Sequence, residues 1–465
     1  MFKFGTIDFG ALRLDLKVKG GVLVNKFGHQ ELNIQSASLA RDLFRKATQK
    51  RHAPLVAFLR SGLRREVMII ANGEAWRKTH DALAPFFTHG RVNETYAPII
   101  DAVATATCST IAAGSDGTIA IEIERVMRIA LARVMGFVVF GRVLTEAEAE
   151  RLEQDLETVT RKPDRGALSA INVAVAFVLR RIGLARNQKI LFSNTRNRAI
   201  SSLLDWIGEV IDQQKAGGGE SPLIDALEQR YASCDPRDRK VRVVAECAML
   251  FIAGIETTAA ALTFTFAELG QDANLSRQAA EEARAFDPAD MRDIAKACPH
   301  LNAVLQETLR RHTIVPTMLR DAAEAIELDA ETEVTIGAAR IIIARSPKIV
   351  ARSPKIVARR GATLRYFPLQ GHLRRQVWKN PLSFDPRRFA CPFSAEQRDH
   401  YAPFGIGPQM CLGRNMAMIE SLMLLVAILR RFDILPIRFE TPIRVERNAV
   451  FTNRPVGVIV KLRAR

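Results

Sequence analysis

The run VRVVAECAMLFIAGIETTAAALTFTFAEL, residues 241 to 269, is apolar on nearly every side of the helix that it predicts. About 20 apolar residues suffice to cross a bilayer, so a membrane span is one interpretation. Glu256 lies in the middle of the run, where an ionisable group in lipid is costly. This favours a helix through the core of a large domain, for which 465 residues with 48% hydrophobic content are ample.

The segment AGIETT, residues 253 to 258, combines features that weaken a regular helix. Gly254 lowers helix stability by about 1 kcal/mol relative to Ala. Thr257 and Thr258 can donate hydrogen bonds back to earlier carbonyls and bend the turn. Beside such a defect, Glu256 is either a paired carboxylate that faces a crevice or a group with a chemical role.

The remaining pattern is mostly helical. GVLVNKFG and ELNIQSASLARDLF predict a strand, a turn and a helix, and the Pro and Gly residues after Pro316 predict an irregular or β-rich region over 330–400. Apolar residues recurring every three or four positions predict amphipathic helices at 143–159, 195–215, 222–232 and 275–285.

We therefore predict a single domain over 1–465 that is mainly α with a small β region. Its β-rich portion covers about 1–70 and 315–375, and its helical portion covers about 71–314 and 376–465.

Composition narrows the functional classes. Lys+Arg 67 against Asp+Glu 50 gives a net charge of +17, which suggests an anionic partner such as nucleic acid, a membrane surface or an acidic protein. Six scattered cysteines without a CxxC pair argue against a disulfide framework and a zinc site. The first 20 residues lack the apolar core of a signal peptide, so we expect a cytoplasmic protein with no transmembrane anchor.

The stretch FGIGPQMCLG, residues 404 to 413, predicts a site for a metal complex. Gly405, Gly407 and Gly413 allow positive φ and a close approach to the backbone. Cys411 precedes the predicted helix NMAMIESLMLLVAILRRF, whose N-terminal N–H groups favour a thiolate. A thiolate with a cleared approach suits a flat complex such as haem. The alternative is a buried free cysteine in a glycine-rich turn.

The extended stretch FGIGPQMCLGRNMA resembles the cysteine loop of the cytochrome P450 family. Other segments are similar to the motifs of that family in the same order along residues 70 to 420. They are NGEAWRKTHDALAPFF, AGIETT, ETLR and FDPRRF.

The resemblance implies a cytochrome P450 fold, a heme b cofactor (iron protoporphyrin IX) and a monooxygenase reaction. In that reaction RH, O2, two electrons and two protons give ROH and H2O. Cys411 would ligate the iron, with Phe404 shielding its sulfur, and Glu256 and Thr257 would pass protons to bound dioxygen. The other matched residues would meet the haem propionates (Trp76, His80, Arg320), complete the cysteine loop (Gly405, Gly413, Ala417) or form a structural ion-pair cluster (Glu307, Arg310, Arg388).

The resemblance also implies partners. The chain looks like a soluble bacterial member that takes electrons from a ferredoxin-type partner with an NAD(P)H-dependent reductase, and similarity to rhizobial members suggests an apolar, diterpenoid-like substrate. An acidic ferredoxin would suit basic residues near Arg77, Lys379 and Arg414. We expect no nucleic-acid partner, because aromatic residues do not interleave with the basic ones.

Two positions depart from the family pattern. Gln409 stands two residues before the cysteine, where the family usually has Arg or His. His80 stands where the early Trp-x-x-x-Arg motif usually ends in Arg. Gln is neutral and His only partly charged near pH 7, so Arg320 would bear more of the binding of the haem carboxylates.

The segment 330–373 is aberrant. ARSPKIV occurs twice in tandem, at 344–350 and 351–357, and residues 340–360 carry seven Lys/Arg and no acid. The prolines of the two copies forbid a continuous helix. We predict an insertion that bulges into solvent as a protease-sensitive loop. The alternatives are a nucleic-acid patch, a duplication or frameshift in the gene, and a haem-binding or non-haem relic of the family whose activity the insertion has abolished.

Overall fold

The chain, seen in a computed structural model, forms two compact units. The first, the β unit, comprises Met1–Ala53, Pro316–Pro381 and Phe393–Met410, and the second, the helical unit, comprises Pro54–Val315, Leu382–Pro392 and Cys411–Arg465. The structure describes residues 13–18, 21–26, 29–46, 48–49, 62–63, 65–113, 117–160, 194–336, 339–342, 355–437, 443–447 and 452–465.

The β unit is a twisted sheet with nine strands in its described residues. The order is β4-β6-β10-β3-β2-β1-β7-β8, and β9 also pairs with β7. The strands are β1 (Arg13–Val18), β2 (Gly21–Lys26), β3 (His29–Ile34), β4 (Thr48–Gln49), β6 (Met318–Ala322), β7 (Ile326–Ile336), β8 (Ala339–Ile342), β9 (Lys355–Ala358) and β10 (Thr363–Tyr366). Strand β5 belongs to the helical unit and is given below.

Helix α1 (Ala37–Lys46) covers this sheet. Strand β10 pairs in parallel with β3 and antiparallel with β6, which places Leu364 opposite both Leu32 and Arg320. Leu32, Leu364 and Phe44 of α1 belong to one buried apolar cluster. Burial of this face therefore sets the register that positions Arg320 on β6.

The helical unit contains the other long helices. Strands β5 (Thr118–Glu122), β11 (Phe432–Ile434) and β14 (Ile459–Ala464) form one small sheet, and β12 (Val445–Arg447) pairs with β13 (Asn453–Pro455). The helices are α2 (Gly73–Leu83), α3 (Ala97–Ala112), α4 (Ile123–Phe140), α5 (Glu146–Thr160), α6 (Asn194–Ala216), α7 (Pro222–Arg230), α8 (Pro236–Gln271), α9 (Ala273–Ala285), α10 (Pro299–His312) and α11 (Arg414–Arg431).

The helical segments predicted from periodicity are confirmed. Helices α5, α6, α7 and α9 overlap the four predicted amphipathic segments, and α11 covers the run after Cys411. The chain is mainly α with a smaller β portion, as predicted. Apolar periodicity found these helices because each buries a stripe of its own surface.

Helix α8 is the buried central helix that the apolar run predicted. It is long and apolar enough to span a membrane, but 83% of its most apolar window is buried inside the protein. Asp235 caps it by accepting hydrogen bonds from the N–H groups of Arg237 and Asp238. Burial on this scale is typical of a core helix.

The predicted helix defect at AGIETT is wrong. Helix α8 runs without interruption from Pro236 to Gln271. A Cβ on Gly254 would lie 2.9 Å from Met135 Sδ of α4, so glycine permits the close packing of α8 on α4. Gly254, which suggested a break in the helix, instead permits the contact between α8 and α4.

The prediction of a loop over 340–360 is wrong at both ends of the segment. Strand β8 pairs with β7 through Ile342 and Glu333, and β9, which takes Lys355–Val357 from the second ARSPKIV copy, pairs with β7 from Ile326 to Asp329. Residues 343–354, with the whole first copy, lie outside the described residues.

Candidate functional site

Cys411 lies in the helical unit, three residues before the start of α11 at Arg414. Its side chain is exposed. Packed protein atoms nevertheless raise the pKa of the thiol by desolvation, while the Gly413 N–H and the charge of Arg414 oppose the rise. The helix N-terminus that was predicted to favour a thiolate does lower the thiol pKa through Gly413 and Arg414. Desolvation outweighs that effect, so the pKa is raised.

Glycines shape the chain before and after this cysteine. Gly405 and Gly407 adopt φ of 85° and 79°, the left-handed region that other residues rarely adopt. Gly413 has an ordinary φ of −84°, and a Cβ placed on it would meet no atom within 4 Å. Neither the conformation of Gly413 nor a neighbouring atom requires glycine, so the space beside the thiol is open.

The first turn of α11 is tied to its surroundings by two hydrogen bonds. Ala417 is half-buried, and its N–H donates to Gly413 O at 2.8 Å. Asn415 Nδ2 donates to Phe87 O at 3.2 Å. Phe404, in the β unit, is half-buried, and its predicted shielding of the sulfur stays a prediction.

The middle of α8 presents a narrow accessible stripe. Ala253 is exposed and Thr257, one turn later, is half-buried, whereas Ile252, Ile255 and Thr258 around them are buried. Thr257 Oγ1 donates to Ala253 O at 2.8 Å, so the hydroxyl lies along this stripe. A small residue followed by a hydroxyl on an otherwise buried helix can receive a ligand and offer it a hydrogen bond.

Glu256 is directed into a buried ion cluster rather than along the stripe. Arg128 Nη2 of α4 lies 2.6 Å from Glu256 Oε1, and Thr160 of α5 also hydrogen-bonds the carboxyl group. Burial raises the pKa of Glu256, while Arg128 and Arg454 oppose the rise. Pairing by Arg128 was one of the two interpretations that the sequence left open.

The cluster joins three helices and a strand. Arg128 also contacts Glu157 at 2.9 Å, and Arg454 of β13 contacts Glu157 at 2.6 Å and Glu124 at 2.7 Å. Burial raises the pKa of Glu124 to about 7, with both arginines opposing. Sequence reasoning missed Arg128 and Arg454, since neither lies in a motif and no local signal marks them.

The structure brings Glu307, Arg310 and Arg388 together in the helical unit, as predicted. Arg310 Nε lies 2.6 Å from Glu307 Oε2, with both side chains fully buried, and Arg388 Nε lies 3.3 Å from Glu307 Oε1. The Asp385 N–H donates to the same carboxylate at 2.9 Å. The cluster therefore ties α10 to the 383–388 loop, which is the structural role expected of it.

Trp76 and His80 are neighbours on α2. Their ring centroids lie 4.9 Å apart, and His80 Nδ1 lies 3.3 Å from Asp81 Oδ1. Both rings are half-buried, so each can still contact a ligand. Their contact with haem propionates stays a prediction.

Arg320 is a desolvated cation in the β unit. Its Nη1 donates to Leu319 O at 2.7 Å, and its guanidinium lies 5.2 Å from the centroid of the Phe44 ring. Burial lowers the pKa of Arg320 to about 10. None of these contacts supplies a negative charge, so a ligand carboxylate would be a favourable partner.

The helical unit offers groups whose chemistry fits haem. They are one accessible thiol with a glycine beside it, two aromatic rings on one helix face, and a hydroxyl on the α8 stripe. A thiol can ligate the haem iron, and aromatic rings can contact its ring face.

Comparisons with known proteins agree with this arrangement. The family model described as Cytochrome P450 matches residues 20–343 and 359–462. Residues 344–358, between the two matched ranges, coincide with the tandem ARSPKIV copies and one further residue. The match therefore continues on both sides of the repeat.

Individual relatives are distant. Probable cytochrome P450 6w1 of Drosophila melanogaster is 24% identical over 381 residues, covering 78% of this chain and 68% of the relative. Probable cytochrome P450 6a14 of the same species is 23% identical over 423 residues, covering 84% and 76%. Cytochrome P450 monooxygenase sthD of the fungus Phaeosphaeria nodorum is 28% identical over 221 residues, covering 46% and 41%.

Proposed function

Because this chain belongs to the cytochrome P450 family, we propose that it hydroxylates an apolar small molecule with electrons from a ferredoxin-type partner. The family makes the chain a haem-thiolate monooxygenase that binds heme b and uses O2. The observation that carries the proposal is the accessible Cys411 thiol beside Gly413 at the start of α11.

Different residues of the chain would have different roles in the reaction. Haem, when bound, supplies the activation of O2 and the transfer of one oxygen atom. Cys411 would hold the iron, and Arg320 with Trp76 and His80 would orient the carboxylates. Thr257 would offer its hydroxyl proton from the α8 stripe, and Glu256, held by Arg128, would supply protons by way of its ion cluster rather than by direct contact with that hydroxyl.

The substrate class and partner rest on composition and resemblance. An apolar, carbon-rich substrate suits a stripe formed by Ala253 and Thr257, and terpenoids are the first class to screen. Arg77, Lys379 and Arg414 are exposed, which suits docking of an acidic ferredoxin served by an NAD(P)H-dependent reductase. A cytoplasmic location is part of the same proposal and can be checked by cell fractionation.

A relic without activity is not favoured. The family match continues beyond the repeat, and the ion pair between Glu307 and Arg310 is intact. The fungal monooxygenase sthD aligns with only 46% of this chain. The activity in its name is therefore not transferred to this chain.

The direct test is the carbon monoxide spectrum of the reduced protein. We expect an absorption band near the wavelength that gives the family its name, and Cys411→Ala should abolish it. Cys391→Ala, at another exposed cysteine, is the matched control and should leave the band unchanged. A folded protein that takes up no haem, or a band that survives Cys411→Ala, would contradict the proposal.

A further inference from the structure

Helices α6 and α8 leave a groove between them near the N-terminal end of α8. The groove has a volume of about 390 Å³, and the residues that line it all belong to the helical unit. Sites for small-molecule ligands usually occupy about 300–1,000 Å³. The groove is therefore large enough to hold a small organic molecule.

The walls of the groove are apolar. They are formed by Leu204 of α6, by Val241 and Val244 of α8, and by Leu63. The Val241 side chain is 38% exposed although it is large and apolar. A ligand with an apolar body would cover Val241 and remove this surface from water, which is favourable.

Gly208 of α6 lies at the base of the groove. A Cβ on Gly208 would lie 3.8 Å from both Lys240 Cε and Val244 Cγ2, which is an ordinary contact distance. Gly208 is not among the glycines with positive φ, so its backbone conformation is open to other residues. A larger side chain at this position would enter the groove, so Gly208 is the place at which the groove can be closed experimentally.

The rim of the groove is negatively charged, although the protein as a whole has a net charge of +17. The charged residues that line it are Asp205, Glu209 and Asp212 of α6 and Lys240 of α8. Lys240 Nζ lies 2.5 Å from Asp212 Oδ2, so the cation of the rim is already paired. The charge of the remaining two carboxylates is not balanced by the rim.

Asp205 and Glu209 are both exposed, and neither has an ion-pair partner in the described part of the chain. They are four residues apart on α6, a spacing at which like charges on a helix repel each other. A cation placed between them would relieve this repulsion. The charge of the rim thus complements a positively charged ligand, and the walls complement an apolar one.

The groove is separate from the accessible stripe of α8. Val244 and Thr257 are 13 residues apart on this helix, which corresponds to about 20 Å along its axis. At roughly 100° per residue, the same interval turns Thr257 away from the side of the helix on which Val244 lies. A ligand in the groove therefore does not contact the Thr257 hydroxyl.

We propose that this groove is a second ligand site, which binds a small organic cation with an apolar body, such as an alkylammonium. The ammonium group would lie between Asp205 and Glu209, and the alkyl chain would cover Val241 and Val244. This inference goes beyond the proposed function, because the groove binds its ligand without the participation of haem.

The test compares two probes of the same chain length on the haem-loaded full chain. Octyltrimethylammonium carries the charge, and its quaternary nitrogen has no lone pair with which to ligate the haem iron. Octanol is the neutral counterpart. Ligand-observed NMR titration should show the cation binding about five- to 25-fold more tightly than octanol, since each exposed ion pair contributes up to about fivefold in affinity.

Variants locate the binding. Asp205→Asn with Glu209→Gln keeps the size of both side chains and should remove the preference for the cation. Gly208→Leu places a side chain in the groove and should weaken the binding of both probes by about tenfold or more, the range for overfilling a packed space. Glu281→Gln changes an exposed acid of α9 outside the groove, and this matched control should keep both affinities within about twofold of wild type.

Equal affinities of the wild type for octanol and the cation would overturn the inference. So would an unchanged affinity for the cation in the variant that lacks both carboxylates, which tests the site even if Gly208→Leu fails to fold. A dimer in solution that Gly208→Leu dissociates would show that a second copy covers the groove, and would also contradict the inference. Absence of the carbon monoxide band would instead contradict the proposed function, and it does not affect the binding result.

Discussion

Arg128 Nη2 lies 2.6 Å from Glu256 Oε1, with the two side chains only 1% and 2% exposed. The acid of AGIETT is thus held by a cation on a different helix. Any proton that Glu256 gains or loses is exchanged within this ion cluster. Arg128 therefore affects both the stability of the fold and the protonation of Glu256.

Arg128→Met should destabilise the protein by about 3–5 kcal/mol, because it leaves buried carboxylates without their shared cation. Arg125→Met is the matched control on α4, since the Arg125–Glu150 pair is 47% and 41% exposed and should contribute at most about 1 kcal/mol. Denaturant unfolding measures both values. Adding Glu256→Gln to Arg128→Met should recover part of the loss, and no recovery would mean that Glu256 does not depend on Arg128.

Arg310→Met should also cost about 3–5 kcal/mol and lower haem content, because Glu307 is fully buried against it. Arg388→Met should cost less, since its contact with Glu307 is longer, at 3.3 Å. Arg387→Met, the neighbouring control, changes a side chain that is 88% exposed and should be nearly neutral. Equal losses for Arg387→Met and Arg388→Met would show that the Arg388 side chain does not stabilise the cluster.

Thr257→Ala should leave haem binding intact but divert electrons into hydrogen peroxide, because the α8 stripe loses its hydroxyl. Thr257→Ser keeps the hydroxyl and should remain near wild type. Glu256→Gln should slow turnover by impairing proton delivery. The measurement is peroxide and product per NAD(P)H consumed. Full coupling in both Thr257→Ala and Glu256→Gln would place the proton relay elsewhere.

Stability should depend on pH through Glu420, a buried residue of α11 whose pKa is raised by desolvation from 4.5 to about 8. Between these values the folded state binds the proton more tightly than the unfolded state does, so the free energy of unfolding falls as pH rises. The slope from this group is at most about 1.4 kcal/mol per pH unit. Glu420→Gln should remove this part of the slope between pH 4.5 and 8, and an unchanged profile would mean that Glu420 titrates normally.

Deletion of residues 344–350 removes one ARSPKIV copy, and deletion of 351–357 produces the same chain. We expect the shortened protein to keep its carbon monoxide band and its stability, because the remaining copy supplies the same Lys-Ile-Val-Ala to strand β9. Loss of the band or of stability in the shortened protein would contradict this. Val357→Pro, which removes an N–H from strand β9, is the contrasting variant and should destabilise the β unit.

The parts of the structure encoded locally could be predicted from the sequence. Helix α11 and the pair of Glu307 with Arg310 follow from periodicity and from a spacing of three residues. The apolar patterns correctly predicted that Thr257 lies within a long helix and that Cys411 lies just before one.

Contacts between distant elements could not be predicted. Arg128 meets Glu256 only because α4 packs on α8, and Gly254 was interpreted as a helix defect because its neighbour Met135 is remote in sequence. The strand character of Lys355–Ala358 was missed for the same reason, since β7 supplies its partner. Charge and proline content described the repeat correctly as polar, but sheet pairing depends on a complementary strand rather than on composition.

The pairing of β9 has a consequence for how this chain can change in length. Both copies end in Lys-Ile-Val and are followed by Ala, so whichever copy stands last before Arg359 presents the same four residues to β7. Gain or loss of a copy spans a whole number of codons and keeps the reading frame. Descendants of this gene can therefore differ by units of seven residues while the sheet edge retains one unchanged sequence.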